Sequence, residues 1–379
     1  MMESLEIHGY RCFESFRMGG LGRVNLLVGK NNSGKTALLE AVHAGTMAGR
    51  DLSALWGPLI RRGECFPDGD RGQSGPQLEY RNSGPRAEYD VSHLFYGRAV
   101  GRGTAFQVIL RGPEPVSEQN LAVEVTPQEG PPTGPVGTFT DEEGTYYGKA
   151  LRVAVTGRTE PITLPLTVRG GLDPGEWISE GRHVLSERTD RYTTYIPPDS
   201  LSPSAISSYW RSIALTPEED LVLLSLRILA LDVDRVAFVG LSEPRGASAR
   251  GGLLLRRKGS DRPVPIGSLG DGVWRMFGLS IGLVRSCRGI LLVDEIDSGL
   301  HYLAMHDMWW LVLRAAERLD VQVFATTHSL DCIRGLAEVC QDAPAGSISL
   351  QRLELGKPEA VTYPQEDIPT AARQGIETR

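Results

Sequence analysis

The stretch that most constrains this chain is an apolar run that breaks into glycines and restarts as a helix. Val24–Val28 reads VNLLV, short and apolar as a strand buried on both faces requires. It leads directly into Gly29-Lys30-Asn31-Asn32-Ser33-Gly34-Lys35-Thr36, and Ala37–Ala48 then carries apolar residues at helical spacing. The octet fits the pattern GxxxxGK[ST], and each part has a physical task. Gly29 and Gly34 let the backbone wrap an anion without a Cβ clash. The amides of Asn31, Asn32, Ser33 and Gly34, with the following helix N-terminus, turn partial positive charge toward a phosphate. Lys35 neutralises phosphate oxygens, and the Thr36 hydroxyl can ligate magnesium.

Two further apolar strands end in polar residues far downstream. Gly289–Glu295 reads GILLVDE, which places Asp294 at a strand end as a second magnesium ligand. Glu295 then follows as the general base for an attacking water. Val321–Ser329 reads VQVFATTHS and brings His328 to a strand end, where it can sense a terminal phosphate. Upstream of both strands lies Ser268-Leu269-Gly270-Asp271-Gly272, followed by an apolar helical stretch over Val273–Arg285. Ser268, Gly270 and Gly272 therefore sit at a helix N-terminus suited to an anion.

Taken together, GKNNSGKT, LLVDEIDSGLH and FATTHS resemble the SMC-like branch of ABC ATPases. Within it the resemblance is nearest to the OLD-type (AAA15/AAA21-like) ATPase domains of bacterial defence proteins. It implies an α/β fold: a P-loop NTPase of ABC/SMC-head type with an antiparallel β insertion and a helical subdomain. The implied cofactors are ATP and Mg²⁺, and the implied activity is slow ATP hydrolysis. Asp297 corresponds to a D-loop residue that contacts a partner subunit, and His328 to the switch histidine. Ser268–Gly272 corresponds to the signature loop, with Gly270 where a serine is usual. The heads of this group form a homodimer or higher oligomer, sandwiching two ATPs head-to-tail, and a separate effector, a nuclease or toxin, is the expected partner. About fifty residues follow His328, so an appended Toprim nuclease domain is not expected. The absence of long heptads likewise excludes a coiled-coil arm.

The expected core covers 1–50 and 195–379, with its helical and signature part at about 195–288. A β-rich insertion covers 51–194. Leu5–Ile7 and Arg11–Phe16 read as strands opening the core. Within the insertion Ala105–Leu110, Leu121–Val125, Leu151–Val155 and Ile162–Val168 read as antiparallel strands. Helix and strand then alternate over Val273–Arg285, Ile290–Val293, Leu303–Leu319, Val321–Ala325 and Leu330–Cys340.

Charge and residue inventory limit the alternatives. With 40 Lys+Arg against 47 Asp+Glu, the formal charge of −7 gives no general attraction to nucleic acid. Arg61, Arg62, Arg256, Arg257 and Lys258 are the candidates for a local basic patch, and a RecF-like repair ATPase that binds DNA directly is the rival reading. A structural oligomer stapled by ATP is a third. No [NT]KxD motif supports guanine selectivity. The five cysteines show no zinc spacing and read as free thiols. No apolar run reaches the roughly 18 residues of a membrane span, so a cytoplasmic protein is expected. Gln77 and Gln107 are candidates for a Q-loop, and Arg11 for a basic residue near the nucleotide. Asp232-Val233-Asp234, His301 and His306 lack the context of a metal site.

Overall fold

A computed structural model describes residues 1–66, 88–113, 118–128, 148–167, 170–172, 192–228, 233–238, 253–259 and 262–375. The chain divides into two compact units. Unit 1 holds Met1–Glu3, Met18–Leu39 and Thr189–Arg379, and unit 2 holds Ser4–Arg17 and Glu40–Arg188.

Unit 1 is built on a sheet whose strand order is β10-β14-β15-β3-β16-β17. Its members are β3 (Val24–Val28), β10 (Thr193–Ile196), β14 (Ile290–Val293), β15 (Gln322–Thr326), β16 (Ile348–Arg352) and β17 (Val361–Pro364). Every pairing is parallel except β16 with β17. All five residues of β3 and all five of β15 are buried, as central parallel strands covered on both faces demand. One strand end is stitched by polar side chains. The Asn25 amide binds Gly22 O and Val323 O, and Gln322 binds the backbone of Met2 and Gly22.

Among the described residues unit 1 also holds the helices α3 (Pro203–Ile213), α4 (Pro217–Ile228), α5 (Asp271–Arg285), α6 (Met305–Arg318), α7 (Leu330–Val339) and α8 (Ile368–Arg373). Ser202 accepts from Ala205 N to cap α3, and Ser329 accepts from Cys332 N to cap α7. Pro217 opens α4 with Glu218, Glu219 and Asp220 in its first turn, where the helix dipole favours acids. A three-stranded sheet joins β11 (Val233–Phe238), β12 (Leu253–Arg257) and β13 (Val264–Pro265). Val233, Val236, Leu253 and Leu255 enter the same buried cluster as the sheet and helices.

In unit 2 the larger sheet has the order β2-β1-β5-β6-β7-β8. It comprises β1 (Ser4–Tyr10), β2 (Phe13–Met18), β5 (Ala105–Arg111), β6 (Gln119–Gln128), β7 (Gly148–Val155) and β8 (Ile162–Pro165). The pairs β1–β5, β5–β6, β6–β7 and β7–β8 are all antiparallel. A short pair, β4 (Tyr89–Asp90) with β9 (Gly171–Leu172), and helix α2 (Ser53–Arg62) accompany it. The helix α1 (Lys35–Met47) starts in unit 1 and continues into unit 2 from Glu40.

The unit boundaries differ from the expected 1–50, 51–194 and 195–379, since residues 4–17 and 40–50 fall in unit 2 and residues 189–194 in unit 1. Ser4–Arg17 joins the antiparallel sheet instead of opening the parallel one. β1 shows why, because its burial alternates along most of its length, the mark of a sheet with one covered face. Arg11 sits at φ +51° in the turn before β2, which therefore starts at Phe13. The five cysteines are free thiols. Among the described residues no helix is long and apolar enough to cross a membrane.

Candidate functional site

Parallel register brings the C-terminal ends of four strands level. Ile196 pairs with Val293, Val293 with Ala325, and Ala325 with Leu26. The residues just beyond those pairs therefore meet at one edge, the usual place for a ligand in an open α/β sheet.

The loop after β3 is shaped by its glycines. Gly29 has φ +145°, and a Cβ there would lie 2.3 Å from Leu353 O, so only glycine fits. Gly34 has φ +97° and Asn32 φ +63°, with Ser33 N donating to Lys30 O at 3.2 Å. Asn31 and Asn32 are exposed, whereas Ser33 is buried and its hydroxyl has no partner. Helix α1 begins at Lys35 and presents its N-terminal amides beside the loop. Lys35 is 5% exposed, and its ammonium folds back on Gly29 O (2.7 Å) and Lys30 O (2.9 Å). Burial pushes its pKa down to about 8, against the opposing pull of Asp294 and Glu295.

Asp294, 4% exposed, receives three hydroxyl donors. Thr36 binds Oδ2 at 2.9 Å, Tyr195 binds Oδ2 at 3.3 Å, and Thr326 binds Oδ1 at 2.6 Å. Thr36 and Asp294 thus place two hard oxygen ligands side by side, the donor chemistry magnesium prefers. The buried, partnerless Ser33 hydroxyl and the glycine-walled loop fit a phosphate chain equally well.

Glu295 follows with φ +48°, a left-handed conformation that costs a non-glycine residue about 1–2 kcal/mol. Its surroundings hold it there. Its amide donates to Thr326 Oγ1 at 2.7 Å, and its carbonyl accepts from the Arg275 guanidinium at 2.7 Å. Arg275 also donates to Asp294 O (2.6 Å) and Pro197 O (2.6 Å). It is 3% exposed, and burial lowers its pKa to about 10. Asp297 accepts from the buried Thr327 hydroxyl at 2.6 Å, and half-buried His328 lies just beyond the end of β15.

The glycine loop before α5 is more specific than its spelling suggests. Ile266–Leu269 forms a 3₁₀ turn, Gly270 has φ +94°, and α5 starts at Asp271. Ser268 donates its hydroxyl to Pro265 O at 2.7 Å, inside its own turn. Gly270 faces open space, whereas a Cβ at Gly272 would lie 2.9 Å from Gly299 O. Gly272 therefore allows the start of α5 to pack against the segment that follows Asp297.

Other candidates take structural roles. Arg11 pairs with Glu40 and Glu64 at 3.0 Å within unit 2 and is buried among them in an ion-pair network. Arg62 joins the same Glu40 at 3.0 Å. Arg256 pairs with Asp234, leaving Arg257 and Lys258 exposed on the hairpin. Gln107 donates to Asn120 in the antiparallel sheet. His301 accepts from Leu303 N, and His306 pairs with Asp307. Gln77 and Asp232 lie outside the described residues. Among the described residues no group of three His, Cys, Asp or Glu side chains forms a metal cluster. Tyr195 and Arg275 went unnoticed in the sequence. The one available signal was an arginine inside the largely apolar run VWRMFGLSIGLV.

Parts of this chain are similar to known proteins. A family model described as "AAA domain, putative AbiEii toxin, Type IV TA system" matches residues 174–331. The DNA replication and repair protein RecF of Bacillus thuringiensis (strain Al Hakam) and that of Bacillus cereus (strain B4264) are each 31% identical over 91 residues. That stretch is 24% of this chain and 23% of each relative, so the chain spans under a quarter of the length of the curated relatives it matches. Among solved structures, the SMC head domain from Thermotoga maritima has a TM-score of 0.44 at 12% identity, covering 96% of this chain and 98% of that one. The SmcHead bound to the C-winged helix domain of ScpA has a TM-score of 0.47 at 13% identity, covering 97% and 98%. The chain is thus similar to an AAA domain over residues 174–331 and to RecF over a 91-residue stretch.

Proposed function

We propose that this protein binds and hydrolyses ATP with magnesium, dimerises around the nucleotide, and gates a separate effector in bacterial defence against phage. The observation that carries the reading is the convergence of Lys35, Thr36, Asp294 and Glu295 at one edge of the parallel sheet. Bound ATP with magnesium supplies the scissile phosphoanhydride and its charge neutralisation. Gly29 and the amides of Asn31, Asn32, Ser33 and Gly34 cradle the phosphates. Lys35 neutralises their oxygens, and Thr36 and Asp294 hold the metal. Glu295 takes the proton of the attacking water, and His328 orients that water against the terminal phosphate. Exposed Ser268 and Gly270, with Gly272 behind them and Asp297 nearby, form the face that a second copy completes. Because Ser268 is bonded within its turn, the contact to phosphate falls to the backbone amides at the start of α5.

A steady-state phosphate-release assay tests the core of this reading. Glu295→Gln should lose turnover by about a hundredfold or more, in the range of removing a positioned general base. Hydrolysis at the wild-type rate would remove Glu295 from that role.

A second reading, direct DNA binding, is favoured by the RecF likeness and by exposed Arg257 and Lys258 on the hairpin. It predicts ATP-dependent binding of duplex DNA that weakens steeply with salt. Absence of such binding at low salt refutes it.

A further inference from the structure

Asp294 is the only carboxylate in the site whose two oxygens are both engaged by described hydroxyls, and one of its three donors comes from outside the motif segments. Thr36 belongs to the loop-helix unit and is itself a metal ligand in the reading above. Thr326 is tied to the backbone, since its oxygen also accepts from Glu295 N. Tyr195 alone comes from β10, the strand at the edge of the sheet.

The position of that phenol relative to the carboxylate is fixed at several points. β10 pairs with β14 over Thr193–Ile196, which sets Tyr195 beside Leu292. Asp294 N donates to Ile196 O at 2.9 Å, one residue beyond the tyrosine. The Arg275 guanidinium then bridges Pro197 O on one side and Asp294 O on the other. A hydroxyl carried on so fixed a stretch of backbone limits the rotation of the carboxylate it bonds at 3.3 Å, whose terminal torsion is otherwise broad.

We propose, resting on the assignment of Asp294 as a metal ligand, that Tyr195 is a positioning residue that sets the affinity of the site for magnesium. Thr326 holds one oxygen of the carboxylate and Tyr195 the other, so the plane of the ligand is set before the metal arrives. Partners of this kind typically change metal affinity by about 10–100-fold when removed.

The test uses the full chain, manganese as the paramagnetic probe, and a non-hydrolysable ATP analogue. Tyr195→Phe keeps the ring and removes only the hydroxyl. Electron paramagnetic resonance titration should show manganese binding weakened about tenfold, while analogue binding in EDTA stays at the wild-type level. Turnover lost at limiting magnesium should be recovered at high magnesium, separating the metal requirement from the catalytic step. Manganese affinity within about twofold of wild type overturns the proposal, given the size expected of such a partner. Asp294→Asn distinguishes the two levels. If it loses manganese binding while Tyr195→Phe does not, only the role of Tyr195 fails. If it binds manganese normally, the assignment of Asp294 fails as well.

Discussion

The low proton affinity of Lys35 gives ATP binding a measurable pH signature. Its amine is buried against two backbone carbonyls, and burial brings its pKa down to about 8. Phosphate oxygens beside the amine stabilise the ammonium form, so the bound protein carries a proton that part of the free population lacks. Uptake per site should be about 0.1 proton at pH 7, about half at pH 8 and about 0.9 at pH 9. Affinity must therefore fall as pH rises through 8, by about tenfold between pH 7 and pH 9, or about 1.4 kcal/mol. For folding the sign is related. The folded pKa lies below the unfolded one, so the buried ammonium disfavours the native state below pH 8, and that cost fades as pH rises toward 10.5. Isothermal titration of a non-hydrolysable ATP analogue, in two buffers of different ionisation enthalpy, reads the proton number directly. Uptake below about 0.1 proton at pH 9, or affinity that does not change from pH 7 to 9, refutes the reasoning.

Two further substitutions probe the scaffold. Arg275→Met leaves the carbonyls of Pro197, Asp294 and Glu295 without their donor, and should lower stability by about 3 kcal/mol in urea titrations. A change below about 1 kcal/mol would mean the clasp is dispensable. Gly335→Ala places a Cβ 2.7 Å from Met305 Cβ and 2.9 Å from Met305 C, where α7 meets the start of α6. It should cost about 1–3 kcal/mol, and an unchanged melting temperature contradicts that packing.

The parts of the site readable from sequence are those whose chemistry is local. Gly29 and Gly34 are required by backbone angles within the loop itself, and Asp294 ends a strand whose apolar run marks it as buried. Contacts made across the fold were not readable in the same way. Arg275 meets carbonyls about 20 and about 78 residues away in the chain, and backbone acceptors leave no trace in residue type. Strand β16 was missed because ISLQR carries buried polar residues. Ser349 donates to Asn25, and Gln351 to Gly19 O, so the strand lies beside β3 without an apolar run to announce it. The placement of β1 follows from a signal present in the sequence. Near-alternation in SLEIHGY fits a half-covered antiparallel sheet, whereas VNLLV next to the glycine loop fits a fully buried one.

The central claim is that two copies close around ATP and that hydrolysis releases them. The most direct measurement is the mass in solution of Glu295→Gln by sedimentation or mass photometry, with magnesium and either ATP or ADP. The account predicts a doubled mass with ATP and a monomer-sized species with ADP, because in the proposed arrangement the amides at the start of α5 of one copy bind the terminal phosphate held by the other. The same mass with both nucleotides, in a variant that binds ATP and does not turn it over, contradicts it.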